Sequence, residues 1–166
     1  MCNKENIEVL TQPIVPIALH GVNPRTIMGN VEWSKRKKEW QVKANHHCMV
    51  CGRYIAHKPG DWMALHERYE YDLDRLIQKF TGYIILCEDC HNYIHQGRMR
   101  MLVNQGTLKP EEYERVIKRG DQLLEEAGLA KIRMPKHLAT DPGWQLEFNG
   151  RLYNNSNIRS CGKAIS

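Results

Sequence analysis

Residues 86–98 read LCEDCHNYIHQGR, a CxxC pair that runs directly into two histidines at helical spacing. The two cysteines of this pair are Cys87 and Cys90, and a second CxxC pair lies upstream at Cys48 and Cys51. Thiols separated by two residues can ligate one ion, and two such pairs complete the tetrahedral site that structural zinc prefers. Six cysteines in a chain without a secretion signal are more typical of metal ligands than of disulfides. The sequence therefore predicts a four-cysteine zinc site, to which Cys2 and Cys161, near the termini, do not contribute.

His91 and His95 form a second candidate metal site directly after the second pair. Residues four apart share a helix face, so both imidazoles can ligate one divalent ion. Imidazoles suit transition metals, whereas Mg²⁺ prefers oxygen ligands, so we consider Mn²⁺, Ni²⁺ and Zn²⁺ beside Mg²⁺. The alternative interpretation is that both histidines are exposed helix residues, or that one of them is a spare ligand of the structural zinc.

Two predicted strands lie between the cysteine pairs, over 62–72 and 83–86, because both segments are bulky, aromatic or β-branched. The chain order is then cysteine pair, strand, strand, cysteine pair, helix. Further helices are expected from Lys35 to Asn45, capped by Ser34, and over residues 109–127. A β-hairpin is expected over 144–153 around Asn-Gly. These elements predict an α+β fold.

Length, composition and charge set limits on the class of protein. The chain has 166 residues, 42% of them hydrophobic and 26% charged, which excludes collagen, coiled-coil and wholly disordered classes. No apolar run is long enough for a membrane helix and the N-terminus is polar, so we expect an intracellular, cytoplasmic protein. The net charge is +5, and four consecutive basic residues lie in the helix predicted from Lys35: Lys35, Arg36, Lys37 and Lys38. Such a cluster attracts polyanions, most often nucleic acid; a solvated helix face is the alternative.

The segment from Asn23 to Phe148 resembles HNH endonucleases of the ββα-metal type, in which two strands and a helix hold a catalytic divalent ion. The resemblance is carried by CxxCG, by HERYEYD at residues 66–72 and by LCEDCHNYIHQGR at 86–98. It implies that His91 and His95 bind the catalytic ion, and that His66 lies on the strand where the family keeps its general base. It also implies hydrolysis of phosphodiester bonds in DNA by a single-ion mechanism, in a phage or bacterial protein. Arg98, one turn beyond His95, is a candidate to bind a phosphate.

This sequence departs from the family pattern at two places. Leu65 precedes His66 where the family usually has a metal ligand, so His66 is either the base or a ligand, with Glu67 or another group activating water. Successive strand residues face opposite sides, which argues against His66 and Glu67 entering one site, and we expect His66 to face the metal. The Asn that orients the family's histidine is also missing, since Thr81 and Gly82 stand there; Tyr71 or Asp72 is a candidate replacement.

Two functions follow from these observations. The first is a metal-dependent HNH-type endonuclease with His66, Glu67, His91 and His95 at its active site. The second is a catalytically inactive zinc module that binds nucleic acid or a protein partner through the same surface. For the organisation of the chain we expect an extended segment over 1–22, a zinc domain over 23–153 with its core at 46–100, and a tail over 154–166.

Overall fold

The computed structural model describes residues 3–56 and 61–158, and these form an α+β fold, as the sequence predicts. Within these ranges no helix is long and apolar enough to cross a membrane. Cys2 and Cys161 lie outside the described residues. In chain order the elements are α1 (Lys4–Ile7), two 3₁₀ turns (Glu8–Thr11 and Ile17–Leu19), α2 (Pro24–Lys43), β1 (Met63–Asp72), β2 (Ile77–Cys87), α3 (Glu88–Ile94), α4 (Gln96–Asn104), α5 (Pro110–Ala127), α6 (Lys136–Ala139), β3 (Gln145–Phe148) and β4 (Arg151–Tyr153).

One four-stranded sheet with the order β1-β2-β3-β4 organises the fold. Strands β1 and β2 pair antiparallel, and their register shifts by one residue between Arg68 and Tyr69, which leaves Thr81 of β2 as the extra residue of a bulge. Strand β3 adds parallel to β2 and antiparallel to β4. The β3–β4 turn has positive φ at Asn149 and Gly150, as a two-residue hairpin requires, and this confirms the predicted hairpin.

The helix that carries the basic cluster begins earlier than the sequence predicts. Helix α2 is capped by Asn23, whose side chain accepts a hydrogen bond from Thr26 N, and not by Ser34. Gly29 interrupts it with φ 84° and ψ 162°, a conformation that glycine adopts without strain. A proline after an Asn cap is a strong helix start, which the predicted boundary overlooked.

The N-terminal segment also differs from the predicted extended segment, because residues 4–11 and 17–19 form helical turns. Leu10 and Leu19 are fully buried in the two hydrophobic clusters of the core. Arg68 on β1 donates a hydrogen bond to the carbonyl of Glu5, which fixes α1 against the sheet. Short apolar groups such as Val9-Leu10 have no visible periodicity in the sequence, although the core buries them.

Residues 154–158, the described part of the C-terminal tail, form a turn and lie against the N-terminal segment. Asn157 Oδ1 accepts a hydrogen bond from Asn154 N, and Asn155 donates to the carbonyl of Ala18 at 2.7 Å. The start of the predicted tail is therefore part of the folded structure.

Helix α3 is held at the centre of the molecule by contacts to the first cysteine pair and to α5. Asp89 accepts two hydrogen bonds of 2.8 Å from Arg115 on α5 and lies 3.7 Å from Arg53. These charged hydrogen bonds lower the pKa of Asp89. Further along α3, the Tyr93 hydroxyl donates to Asp121 at 2.6 Å. The residues that follow the second cysteine pair therefore occupy a well-defined position.

Candidate metal centre

The first candidate site is the predicted cluster of four cysteines. Each thiol of Cys48, Cys51, Cys87 and Cys90 lies within 4.8 Å of the others, and Cys51 Sγ is 3.7 Å from Cys87 Sγ. A tetrahedral zinc with Zn–S bonds of about 2.3 Å separates its sulfurs by about 3.8 Å. The donor set and spacing fit zinc, so these residues can hold a structural zinc ion.

Local backbone geometry explains how the four thiols meet. In the first pair, Gly52 N donates to the carbonyl of Cys48 at 2.8 Å, and the positive φ of Gly52 turns the chain back. Met49 N donates to the carbonyl of Ile85, which joins this turn to β2. In the second pair, Cys87 ends β2 and caps α3, so the N-terminus of the helix faces the thiols and favours their negative charge.

The protonation of the four cysteines is shared among them. Hydrogen bonds from its neighbours lower the pKa of the Cys51 thiol, and hydrogen bonds to Cys48 and Cys51 raise that of Cys90. Without a cation the cluster cannot carry four thiolates, because their charges repel each other. A divalent ion removes this conflict, as expected of a zinc site.

The second candidate site consists of three imidazoles, from His66 on β1 and from His91 and His95 at α3. One ring nitrogen from each lies within 4.8 Å of the other two. The ring centroids are 5.5 Å apart for His66–His91, 5.2 Å for His66–His95 and 4.5 Å for His91–His95. His95 lies at the break between α3 and α4, one turn after His91. The structure therefore brings together the three histidines that the sequence selected.

All three imidazoles are held in the neutral form that metal binding needs. Burial lowers the pKa of His66 to about 3, and it also lowers the pKa values of His91 and His95. The Nδ1 atom of His91 is buried and has no hydrogen-bond partner among the described residues. A buried nitrogen without a partner is costly unless a ligand occupies it, so this cluster fits a divalent ion.

The orientation of His66 is determined by the main chain. Its Nδ1 lies 2.7 Å from the carbonyl oxygen of Glu67, to which it donates when the proton is on Nδ1, and Nε2 then keeps its lone pair. Metal-bound histidines commonly make this kind of hydrogen bond. Sequence reasoning had considered Tyr71 and Asp72 for this role, and a main-chain acceptor leaves no signal in a sequence.

Glu67 is not part of the imidazole cluster. It pairs with Tyr83 across the sheet, whereas His66 pairs with Ile84, so the two side chains leave opposite faces of β1. Burial raises the pKa of the Glu67 carboxyl to about 7. Among the described residues, the cluster contains no carboxylate.

Basic side chains from three parts of the chain surround the imidazoles. After burial and the two neighbouring imidazoles, the charges of Arg98 and Lys37 also lower the pKa of His91. After burial, the charges of Arg98 and Lys131 also lower the pKa of His95. Lys37 belongs to α2, Arg98 to α4, and Lys131 follows α5. Sequence reasoning selected Lys37 and Arg98 but missed Lys131, which is distant in the chain from every motif.

The other predicted basic residues of α2 do not act on the imidazoles in the way that Lys37 does. Arg36 forms ion pairs with Glu32 at 3.0 Å and Glu39 at 4.0 Å on its own helix, so its charge is largely compensated. Lys35 and Lys38 are exposed on the helix surface. Of the predicted cluster, Lys37 is therefore the residue whose charge acts on the imidazoles.

Comparisons with family models, with curated proteins and with solved structures give no match for this chain.

Proposed function

We propose that this chain is a divalent-metal-dependent hydrolase of phosphodiester bonds in nucleic acid, of the HNH type, with DNA as its expected substrate. The observation that carries the proposal is the cluster of His66, His91 and His95 beside basic side chains. Neutral imidazoles favour the metal, and the cations favour a phosphate next to it.

The division of roles follows from these positions. A divalent ion bound to imidazoles with open coordination positions supplies Lewis-acid activation of a phosphate oxygen and of water. His91 and His95 hold this ion, Arg98 and Lys37 bind the substrate phosphate, and Lys131 adds positive potential. Zinc at the four cysteines would keep α3 in place.

His66 is best assigned as the third metal ligand. Its ring is 4% exposed and lies as close to His95 as a shared ion requires, whereas a general base needs access for the attacking water. The hydrogen bond to the Glu67 carbonyl supports this assignment, because it directs Nε2 away from the main chain. A general-base role for His66 is the competing assignment.

Cleavage of supercoiled plasmid over Mg²⁺, Mn²⁺, Ni²⁺ and Zn²⁺ tests the function. We expect metal-dependent nicking that EDTA abolishes and that His66→Ala loses. If the zinc-loaded wild type cuts neither plasmid, linear duplex, single strand nor RNA, the hydrolase proposal is wrong and a binding module takes its place.

Metal titration of His66→Ala separates the two roles of His66. A ligand role predicts that the variant binds the second ion at least about tenfold more weakly, since even groups that only support a ligand change affinity by about 10–100-fold. Unchanged metal affinity together with lost cleavage would show that His66 acts as the base.

A further inference from the structure

Trp62 is an exposed aromatic residue at the edge of the imidazole cluster. Its side chain is 42% exposed, whereas Trp33 and Trp144 are buried in the core. The Trp62 ring nevertheless lies against His91, with ring centroids 5.1 Å apart in an edge-on arrangement. An exposed tryptophan lacks the hydrophobic free energy that burial of its ring would contribute. The position of Trp62 beside the candidate metal site therefore indicates that a ligand covers this ring.

Lys37 connects this tryptophan to the basic helix. Its Nζ lies 5.6 Å from the Trp62 ring centroid, within the range of a cation–π contact. The order Lys37, Trp62, His91 therefore places a cation, an exposed aromatic surface and a metal ligand side by side. Single-stranded nucleic acid is recognised by this combination, because aromatic rings stack on bases while basic groups bind the phosphates.

We propose that Trp62 stacks on an unpaired nucleobase next to the phosphate at the metal site, and that the substrate is single-stranded or locally unpaired nucleic acid. This inference rests on the proposed function and specifies its substrate class. In a continuous duplex the faces of the bases are covered by their neighbours, so a side chain at the surface cannot stack on them. Lys37 then contacts the phosphate of the stacked nucleotide.

Binding assays without added divalent ions test the inference independently of catalysis. The probes are a fluorescein-labelled oligothymidylate, an abasic strand of the same length and a duplex of the same length. For Trp62→Ala we expect affinity for oligothymidylate to fall by about 5–100-fold, the range for loss of one stacked base. Affinity for the abasic strand and for the duplex should change by less than about twofold, because phosphate contacts carry both.

Two further variants complete the design. Trp62→Phe keeps an aromatic ring and should recover most of the affinity for oligothymidylate. Tyr54→Ala is the matched control, because Tyr54 is 57% exposed and lies against His47, away from the imidazole cluster in its contacts. It should bind oligothymidylate as the wild type does. Melting temperature and zinc content verify that each variant is folded.

The outcomes separate this inference from the proposed function. Equal loss on oligothymidylate and on the abasic strand, or no loss at all, would overturn the stacking role of Trp62 even if the protein cuts plasmid. Selective loss on oligothymidylate supports the stacking role even if the wild type proves unable to cleave, in which case the hydrolase proposal alone fails.

Discussion

The four-cysteine and the three-histidine clusters both take donors from α3 and the residues that flank it, but they differ in the number and the chemistry of those donors. Cys90 and His91 are consecutive residues of α3, yet each belongs to a different cluster. The thiols form a complete tetrahedral donor set, and Cys48, Cys87 and Cys90 are no more than 4% exposed. The imidazoles offer only three nitrogen donors, and the charges of nearby basic side chains act on them.

One short helix therefore carries residues of both clusters. A complete set of thiolates around zinc contributes folding free energy directly, so it can hold a short element that would not be stable alone. Helix α3 has only seven residues. Zinc bound at the four cysteines would therefore also fix the position of the histidines that follow Cys90.

Cys90→Ser should have the largest effect, because it removes one ligand of the closed site. We expect loss of bound zinc and of cooperative folding, since structural zinc contributes roughly 10–16 kcal/mol in small zinc domains. Zinc content and far-UV circular dichroism measure both. Cys2→Ser is the control, because that cysteine lies outside both CxxC pairs. A folded Cys90→Ser protein with one zinc would contradict the structural role.

His91→Ala should separate the two sites, because it removes a ligand of the open cluster only. We expect a folded protein that keeps its four-cysteine zinc but binds the second ion more than about 100-fold more weakly. Calorimetric titration of the zinc-loaded protein with Mn²⁺ or Zn²⁺ measures this change. The exposed His137 provides the control variant His137→Ala, which should bind as the wild type does. Equal second-site affinity in His91→Ala would remove the basis for a second ion.

Gly120→Ala should test how far the zinc alone positions α3. A Cβ atom at Gly120 would lie only 2.0 Å from the ring of Tyr93, so the ring or the helix must move. We expect a loss of about 1–3 kcal/mol in the free energy of unfolding, as for other overpacked cores. Second-ion affinity should fall while the zinc remains bound.

Gly97→Ala is the matched control for this variant, because a Cβ there meets no atom within 4 Å and its φ is not positive. Chemical denaturation of both variants compares their stabilities. If Gly120→Ala is as stable as Gly97→Ala, the close contact between α5 and Tyr93 does not constrain α3.

Lys131→Met should have the smallest effect, and its effect on stability should depend on pH. Burial lowers the pKa of Lys131 to about 8, so folding shifts this group toward its neutral form. The wild type therefore loses stability as pH falls from the unfolded value near 10.5 toward 8. Lys131→Met removes this pH dependence but also the hydrogen bond from Lys131 to the Tyr93 carbonyl, so its stability relative to the wild type should be higher at pH 7 than near pH 10. The variant should also bind nucleic acid more weakly.

Denaturation at both pH values and binding of labelled DNA measure the effects of Lys131→Met. Lys136→Met, at an exposed position, is the control. A stability difference that grows from pH 7 to pH 10 would contradict the assigned burial of the charge.

Much of the fold was predictable because the decisive patterns are local. The spacing of Cys87, Cys90, His91 and His95 fixes which residues share one turn of helix, and the Asn149-Gly150 turn specifies a hairpin. The early start of α2 at Asn23-Pro24 was readable from capping rules, although the predicted boundary missed it. The helical turns of the N-terminal segment could not be predicted in this way, because each has only three or four residues and is too short to show a period.

The sequence by itself determined the local pairs Cys48–Cys51, Cys87–Cys90 and His91–His95, since i,i+3 and i,i+4 spacing acts within a single turn and needs no distant contact. Only the tertiary structure decided what surrounds them. The pairing of β1 with β2 brings His66 to His91 and His95, and the packing of α2 and the segment after α5 adds Lys37 and Lys131. Those approaches depend on the packing of the core. They join residues far apart in the chain, for which a local pattern carries no signal.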